Sequence, residues 1–154
     1  MRKHFTMTLV ASAVLASFGT SAMAATYVSG DTEYESLQDA FTGVADGGTI
    51  TLGADVADGS GSQTTGSAKS FTLDLNDHTY TFAGNPVGSP GTVSQGFQLL
   101  KGNTVTIKNG TLNVAPQGSN KFAMNIQNYS NLTLDNVVVD GSNLPGGGAI
   151  LYFK

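Results

Sequence analysis

The residues best suited to chemistry lie in one short run, Leu73-Asp74-Leu75-Asn76-Asp77-His78-Thr79-Tyr80. His78 is the only histidine beyond His4, and Asp74 and Asp77 stand close beside it. An imidazole with neighbouring carboxylates is a set that general acid–base catalysis uses. Two further candidates are Lys108 and Asp135, each placed where a related run turns. The spacing argues for less than the residue types do. Asp74 alternates with Leu73 and Leu75, so it points away from the side they bury, whereas Asp77 falls in a turn. No defined carboxylate separation of the kind glycoside hydrolysis requires follows from that placement. His78 is then a solvated corner ring, and Lys108 is expected to pair with Asp135. Asp55 with Asp58, and Asp135 with Asp140, are pairs too sparse to supply the converging oxygens of a Ca²⁺ site. The chain has no Cys, which removes disulfides, thiolate metal sites and thiol nucleophiles together. No cofactor or metal is expected.

The elements that carry these residues are short strands. Apolar residues take every second position in Thr49-Ile50-Thr51-Leu52, Phe71-Thr72-Leu73-Asp74-Leu75, Thr104-Val105-Thr106-Ile107 and Asn131-Leu132-Thr133-Leu134. That alternation points them to one face of a strand. Gly-, Ser-, Thr- and Asn-rich loops separate the strands. One segment is helical: Leu37, Ala40, Phe41 and Val44 have the spacing of one helix face, and Ser36 with Asp39 resembles a capping box.

The strands also resemble one another. Leu73 to Tyr80, Val105 to Leu112 and Leu132 to Val139 share an apolar-x-apolar start, a polar pair and a final apolar residue. Leu99 and Ile126 precede the last two runs by the same distance. An imperfect repeat of strands and turns predicts an all-β solenoid, a right-handed parallel β-helix of about four rungs with a short N-terminal capping helix. Its polar corners would stack Asp77, Asn109 and Asn136, residue types that tolerate a left-handed backbone. Leu52, Leu73, Leu75, Val105, Ile107, Leu132 and Leu134 would be buried, and Leu134→Asp would unfold the protein. An antiparallel sandwich is the rival architecture. The outward Thr49, Thr51, Thr72, Thr104, Thr106 and Thr133 form a Thr-rich face, compatible with binding ordered water and equally ordinary for exposed strands.

The run from Ser36 through Gly47-Gly48-Thr49-Ile50-Thr51-Leu52 resembles the N-terminal cap and first strand of pectin-lyase-like right-handed parallel β-helices. The run around Asn76-Asp77-His78 is similar to a rung of bacterial surface proteins of that group, with Asp77 where Gly is usual. The composition is similar to that of autotransporter adhesin passengers. The resemblance covers roughly residues 34–153 and implies fold more than function, since such folds host adhesins, lyases and hydrolases alike. Lyases of the group imply a basic residue that removes a proton α to a uronate, for which Lys108 is the candidate. Hydrolases of the group imply neighbouring Asp residues and a Gly-flanked His; here no Gly flanks His78.

Charged residues make up 12% of the chain, against the usual ~25%. Residues 1–24 have a basic start, the apolar run Leu9 to Phe18 and Ala22-Met23-Ala24, the layout of a cleaved signal peptide. Cleavage would leave all 11 acids and only Lys69, Lys101, Lys108, Lys121 and Lys154 as bases. That balance excludes general nucleic-acid binding, which needs a basic face. No run is long enough for a transmembrane helix. The expected organisation is a signal peptide (1–24), a segment with the capping helix (25–48) and rungs (49–154). Ala149 to Phe153 reads as the start of a further strand with nothing to close it. The chain is therefore expected to be part of a longer protein, or to have this end covered by another chain. The function expected is a secreted or cell-surface structural or adhesion module, such as the N-terminal part of an adhesin. Its partner would be a host or bacterial surface glycan or protein. A fragment of a polysaccharide lyase or glycoside hydrolase is the alternative.

Overall fold

The structure, a computed structural model, describes residues 26–117 and 121–154. The expected signal peptide lies outside these residues. Among them, no helix is long and apolar enough to cross a membrane.

Among the described residues, twelve strands and one helix follow in order: β1 (Tyr27–Ser29), β2 (Thr32–Tyr34), α1 (Leu37–Gly43), β3 (Gly48–Leu52), β4 (Val56–Gly59), β5 (Ser62–Gln63), β6 (Ser70–Asp74), β7 (Thr79–Phe82), β8 (Gln95–Leu99), β9 (Thr104–Val114), β10 (Met124–Asn128), β11 (Asn131–Val139) and β12 (Ala149–Phe153). They form two sheets. The larger runs β2-β1-β3-β6-β9-β7-β4, with β11 also on β9; the smaller runs β12-β10-β8-β5.

The expected parallel β-helix of about four rungs is not what these sheets make. The larger sheet is mixed: β1 is antiparallel both to β2 and to β3. An isolated antiparallel bridge also joins Val87 to Gln95. The reason at the N-terminal side is local. Gly30 takes φ +59, a left-handed conformation open to glycine, and turns β1 back into β2. The resulting hairpin then occupies the free edge of β3, where the helix alone was expected. The repeat is uneven as well. β9 runs 11 residues without a break and serves as partner to both β6 and β7.

The strand registers correct the alignment of the repeats. Ile50 pairs with Leu73, and Val105 with Leu132, as expected. Leu73, however, pairs with Ile107 rather than Val105. Beyond the corner Thr79 pairs with Thr111 and Tyr80 with Leu112, the expected match. The corner between β6 and β7 therefore holds two residues more than the corresponding stretch of β9. Similarly Ile126 pairs with Phe97, and Leu99 with Asn128.

The core lies between the sheets. Ile50, Leu52, Leu73, Val105, Ile107, Leu112 and Val114 come from the larger sheet, Leu75 from the corner after β6, and Phe97, Leu99 and Ile126 from the smaller sheet. An aromatic chain joins them, with Phe41–Phe71 at 5.1 Å, Phe41–Phe97 at 5.5 Å and Phe82–Phe97 at 4.9 Å between ring centroids. Each such side chain contributes about 1.5–3 kcal/mol on full burial. The helix joins this core through Leu37, Ala40 and Phe41. Its N-cap forms as expected, Asp39 N–H donating to Ser36 Oγ at 3.0 Å, but the Asp39 carboxylate accepts from the Ser36 hydroxyl at 2.6 Å and not from the Ser36 N–H as a full capping box would.

Two expected core positions are corrected. Leu132 is only partly buried and Leu134 is 37% exposed. Both pair in register with β9, but among the described residues no strand lies on the far side of β11. Val138 on β11 is exposed as well, as are Ile150, Tyr152 and Phe153 on β12, the edge of the smaller sheet.

Candidate functional site

The predicted site residues gather at the corner where β6 turns into β7. The turn is made by left-handed residues, Asn76 at φ 51 and Asp77 at φ 63, with Asn109 at φ 54 and Asn136 at φ 53 on the neighbouring strands. Asn and Asp adopt this backbone more readily than other side-chain-bearing residues. The Asn side chains stack into a ladder: Asn136 Nδ2 donates to Asn109 Oδ1 at 3.4 Å, and Asn109 Nδ2 donates to Asp74 Oδ1 at 3.2 Å. Asn76 Nδ2 donates to the Leu52 carbonyl at 3.1 Å. The ladder thus ends on Asp74 and not, as expected, on Asp77, which is exposed.

Asp74 is the centre of this network. Its Oδ1 also accepts from Asn76 N–H at 2.9 Å, and its Oδ2 lies 3.2 Å from Lys108 Nζ. Lys108 was expected to pair with Asp135. Asp135 does stand opposite Lys108 in the strand register, but it is exposed and the ion pair goes to Asp74. The reason is the register: Asp74 and Asp135 flank Lys108 on either side, and Asp74 is the less exposed. His78 turns the other way. Its Nδ1 is 3.3 Å from Asp55 Oδ1, which also accepts from Thr79 N–H at 2.8 Å. So His78 and Asp74 belong to two separate clusters, and the Asp77 side chain joins neither, although its N–H donates to the Asn109 carbonyl at 2.8 Å.

These contacts set the charge states. Partial burial pushes the Asp74 carboxyl up, but Asn76 N–H, Lys108 and Asn109 together outweigh it and hold it below its ordinary 3.8. The Thr79 N–H, helped by His78, holds Asp55 below its ordinary value. Ser142 N–H does the same for Asp140. Depressed carboxyls of this kind are good acceptors and poor proton donors at neutral pH. Because the folded Asp74 titrates below the unfolded one, its stabilisation is present above pH ~4 and is lost as pH falls through the folded value. Asp74→Asn is expected to cost about 1 kcal/mol at pH 7, discounted for solvent screening. The difference from the unsubstituted chain should shrink in urea melts taken below pH ~4. An equal cost at both pH values would contradict the assignment.

The outward face of the larger sheet carries one complete Thr column, Thr49-Thr72-Thr106-Thr133. The column beside it is Thr51-Asp74-Lys108-Asp135, so charge interrupts the array. Among the described residues no group of three or more His, Cys, Asp or Glu could hold a metal ion.

A second constellation carried no sequence signal. A cavity of about 220 Å³ opens between the start of α1 and the β4–β5 segment. Tyr27 and Tyr80 line it with ring centroids 6.5 Å apart, and Glu35, Asp58 and Ser62 lie on its walls. Tyr80 Oη donates to the Ser60 carbonyl at 2.6 Å. Burial, then Tyr27 and Asp58, push the Tyr80 phenol well above its ordinary range. These residues are scattered along the sequence, and only the folding of β1, α1, β4 and β7 around one space unites them. Another cavity, of about 350 Å³, lies beside Phe82, Pro116, Gln117, Lys121 and Phe122. Gln117 closes its loop by donating to the Phe122 and Asn143 carbonyls and accepting from Phe122 N–H. No family model, curated protein or solved structure matches the chain.

Proposed function

We propose that the chain is an exported structural or adhesion module that acts at a bacterial surface by binding a glycan or protein. The observation that carries this reading is the pair of open sheet edges, β11 on the larger sheet and β12 on the smaller. There Leu134 and Val138 are exposed on β11, and Ile150, Tyr152 and Phe153 on β12. Edge strands present unpaired N–H and C=O groups, and natural proteins usually blunt them with charge, proline or a covering segment. An apolar edge is suited instead to receiving another extended segment, whether more of the same polypeptide or a different chain. The corner network is consistent with this reading: Asp74, Lys108, Asn109, Asp55 and His78 already hold backbone or neighbouring strands together. The composition and the expected signal peptide point to export.

The purified protein is expected to self-associate with rising concentration in sedimentation equilibrium. Val138→Lys with Phe153→Lys should suppress that while leaving the melting temperature unchanged, since both side chains are exposed. An unsubstituted chain that stays monomeric at high concentration would contradict the role given to the edge.

A further inference from the structure

We infer that the cavity between α1 and the β4–β5 segment binds a single sugar residue, either free or at the end of a glycan. The strongest observation is Ser62. It is 1% exposed, and its Oγ has no hydrogen-bond partner among the described residues. Other buried polar side chains in that condition are asparagines, and Asn103 and Asn125 engage their amide nitrogens elsewhere. Ser62 pairs in parallel register with Phe97, so both side chains leave the small sheet on the same face. Phe97 packs against Phe41, Tyr80 and Phe82, which fixes that face as the inner one. The unpartnered hydroxyl is thus directed to the space that Tyr80 and the cavity occupy.

The remaining groups define the ligand chemistry. Glu35 and Asp58 are exposed residues on the cavity wall, and neither forms an ion pair or a side-chain hydrogen bond among the described residues. Two carboxylates repel an anion. A bare divalent cation needs six to eight converging oxygens or a rigid octahedron, and no metal-ligating group of three is present among the described residues. A neutral polyhydroxylated ring fits better. Its hydroxyls donate to carboxylates and exchange hydrogen bonds with Ser62, while its carbon face meets the tyrosine rings. A volume of about 220 Å³ is below the ~300–1,000 Å³ of most ligand pockets, which suits one ring and not a chain. The glycan as natural source rests on the adhesion reading; the cavity and its unpartnered hydroxyl do not.

The test uses the intact chain with a panel of neutral hexoses and N-acetylhexosamines in saturation-transfer NMR and calorimetry, and a glycan array in parallel. At least one free monosaccharide should bind. Ser62→Ala and Asp58→Asn should each weaken it about tenfold, the loss of one strong hydrogen bond. Ser62→Ala should melt at or above the unsubstituted temperature, because an unpartnered buried hydroxyl adds no stability. Absence of binding by every monosaccharide would overturn the site, as would binding that neither substitution alters. A lowered melting temperature for Ser62→Ala would make the hydroxyl structural and overturn it too. Array binding that survives both substitutions, without monosaccharide binding, rejects the cavity and leaves the adhesion reading standing. Monosaccharide binding with an empty array supports the cavity and removes the adhesion reading.

Discussion

Ile107→Asp is expected to abolish cooperative folding, whereas Leu134→Asp should leave the protein folded. The two positions face each other in the parallel register of β9 and β11. Ile50, Leu73 and Ile107 form one inward column and each is fully buried, while Leu134 ends that column and is 37% exposed. An aspartate at 107 would be enclosed between Leu73 and Leu134 without a cation to meet it, which costs several kcal/mol or forces protonation. The side chain removed adds a further ~2–5 kcal/mol, the usual loss for a buried Ile truncated to Ala. Together these approach the whole ~5–15 kcal/mol stability of a typical domain. At 134 the carboxylate keeps access to water. Circular dichroism melts should show no transition for the first variant and a cooperative one for the second. Two variants that melt alike would contradict the placement of β11 at the edge.

Gly110→Ala is expected to destabilise by about 2–4 kcal/mol, combining overpacking with a backbone penalty. A methyl group there would lie 2.5 Å from the His78 carbonyl oxygen and 2.6 Å from Leu75 Cβ. Gly110 also takes φ +154, which side-chain-bearing residues rarely adopt. Both crowding groups belong to the corner of β6 and β7, where the two extra residues lie over Gly110. Gly146→Ala, with no atom within 4 Å of an added methyl group, is the control and should change stability little. Urea midpoints of the two variants measure the difference. A tolerated Gly110→Ala would show that the corner does not sit on β9 as described.

That corner also marks the limit of what the sequence made legible. Inward and outward positions were readable because side chains alternate with a period of two. A slip of two residues preserves the alternation, so Leu73 fits opposite Val105 as well as opposite Ile107 when only the pattern is considered. The same ambiguity placed Leu99 with Ile126, although Phe97 is the true partner. Both errors have the same origin, extra residues taken up in a turn. The misplaced partner of Lys108 follows from considering only the strand on one side. Ser36 and Asp39 were legible because a helix cap is a local signal. The β1–β2 hairpin was not, since its strands are only three residues each and β1 joins β3 through long-range contacts. The cavity residues Tyr27, Glu35, Asp58, Ser62 and Tyr80 form no motif at all. The exposure of Leu134 was misread because alternation marks the inward face without telling whether a further strand covers it.

In the function proposed, the corner side chains hold the fold together and the protein binds without turnover. Release of uronate and of reducing sugar from a panel of polysaccharides, with and without Ca²⁺, tests it most directly. We expect no release from the purified protein or from its Asp74→Asn, His78→Ala and Lys108→Ala variants. Turnover by the unsubstituted chain that disappears in Asp74→Asn or Lys108→Ala, while the variant melts at the unsubstituted temperature, would contradict the account.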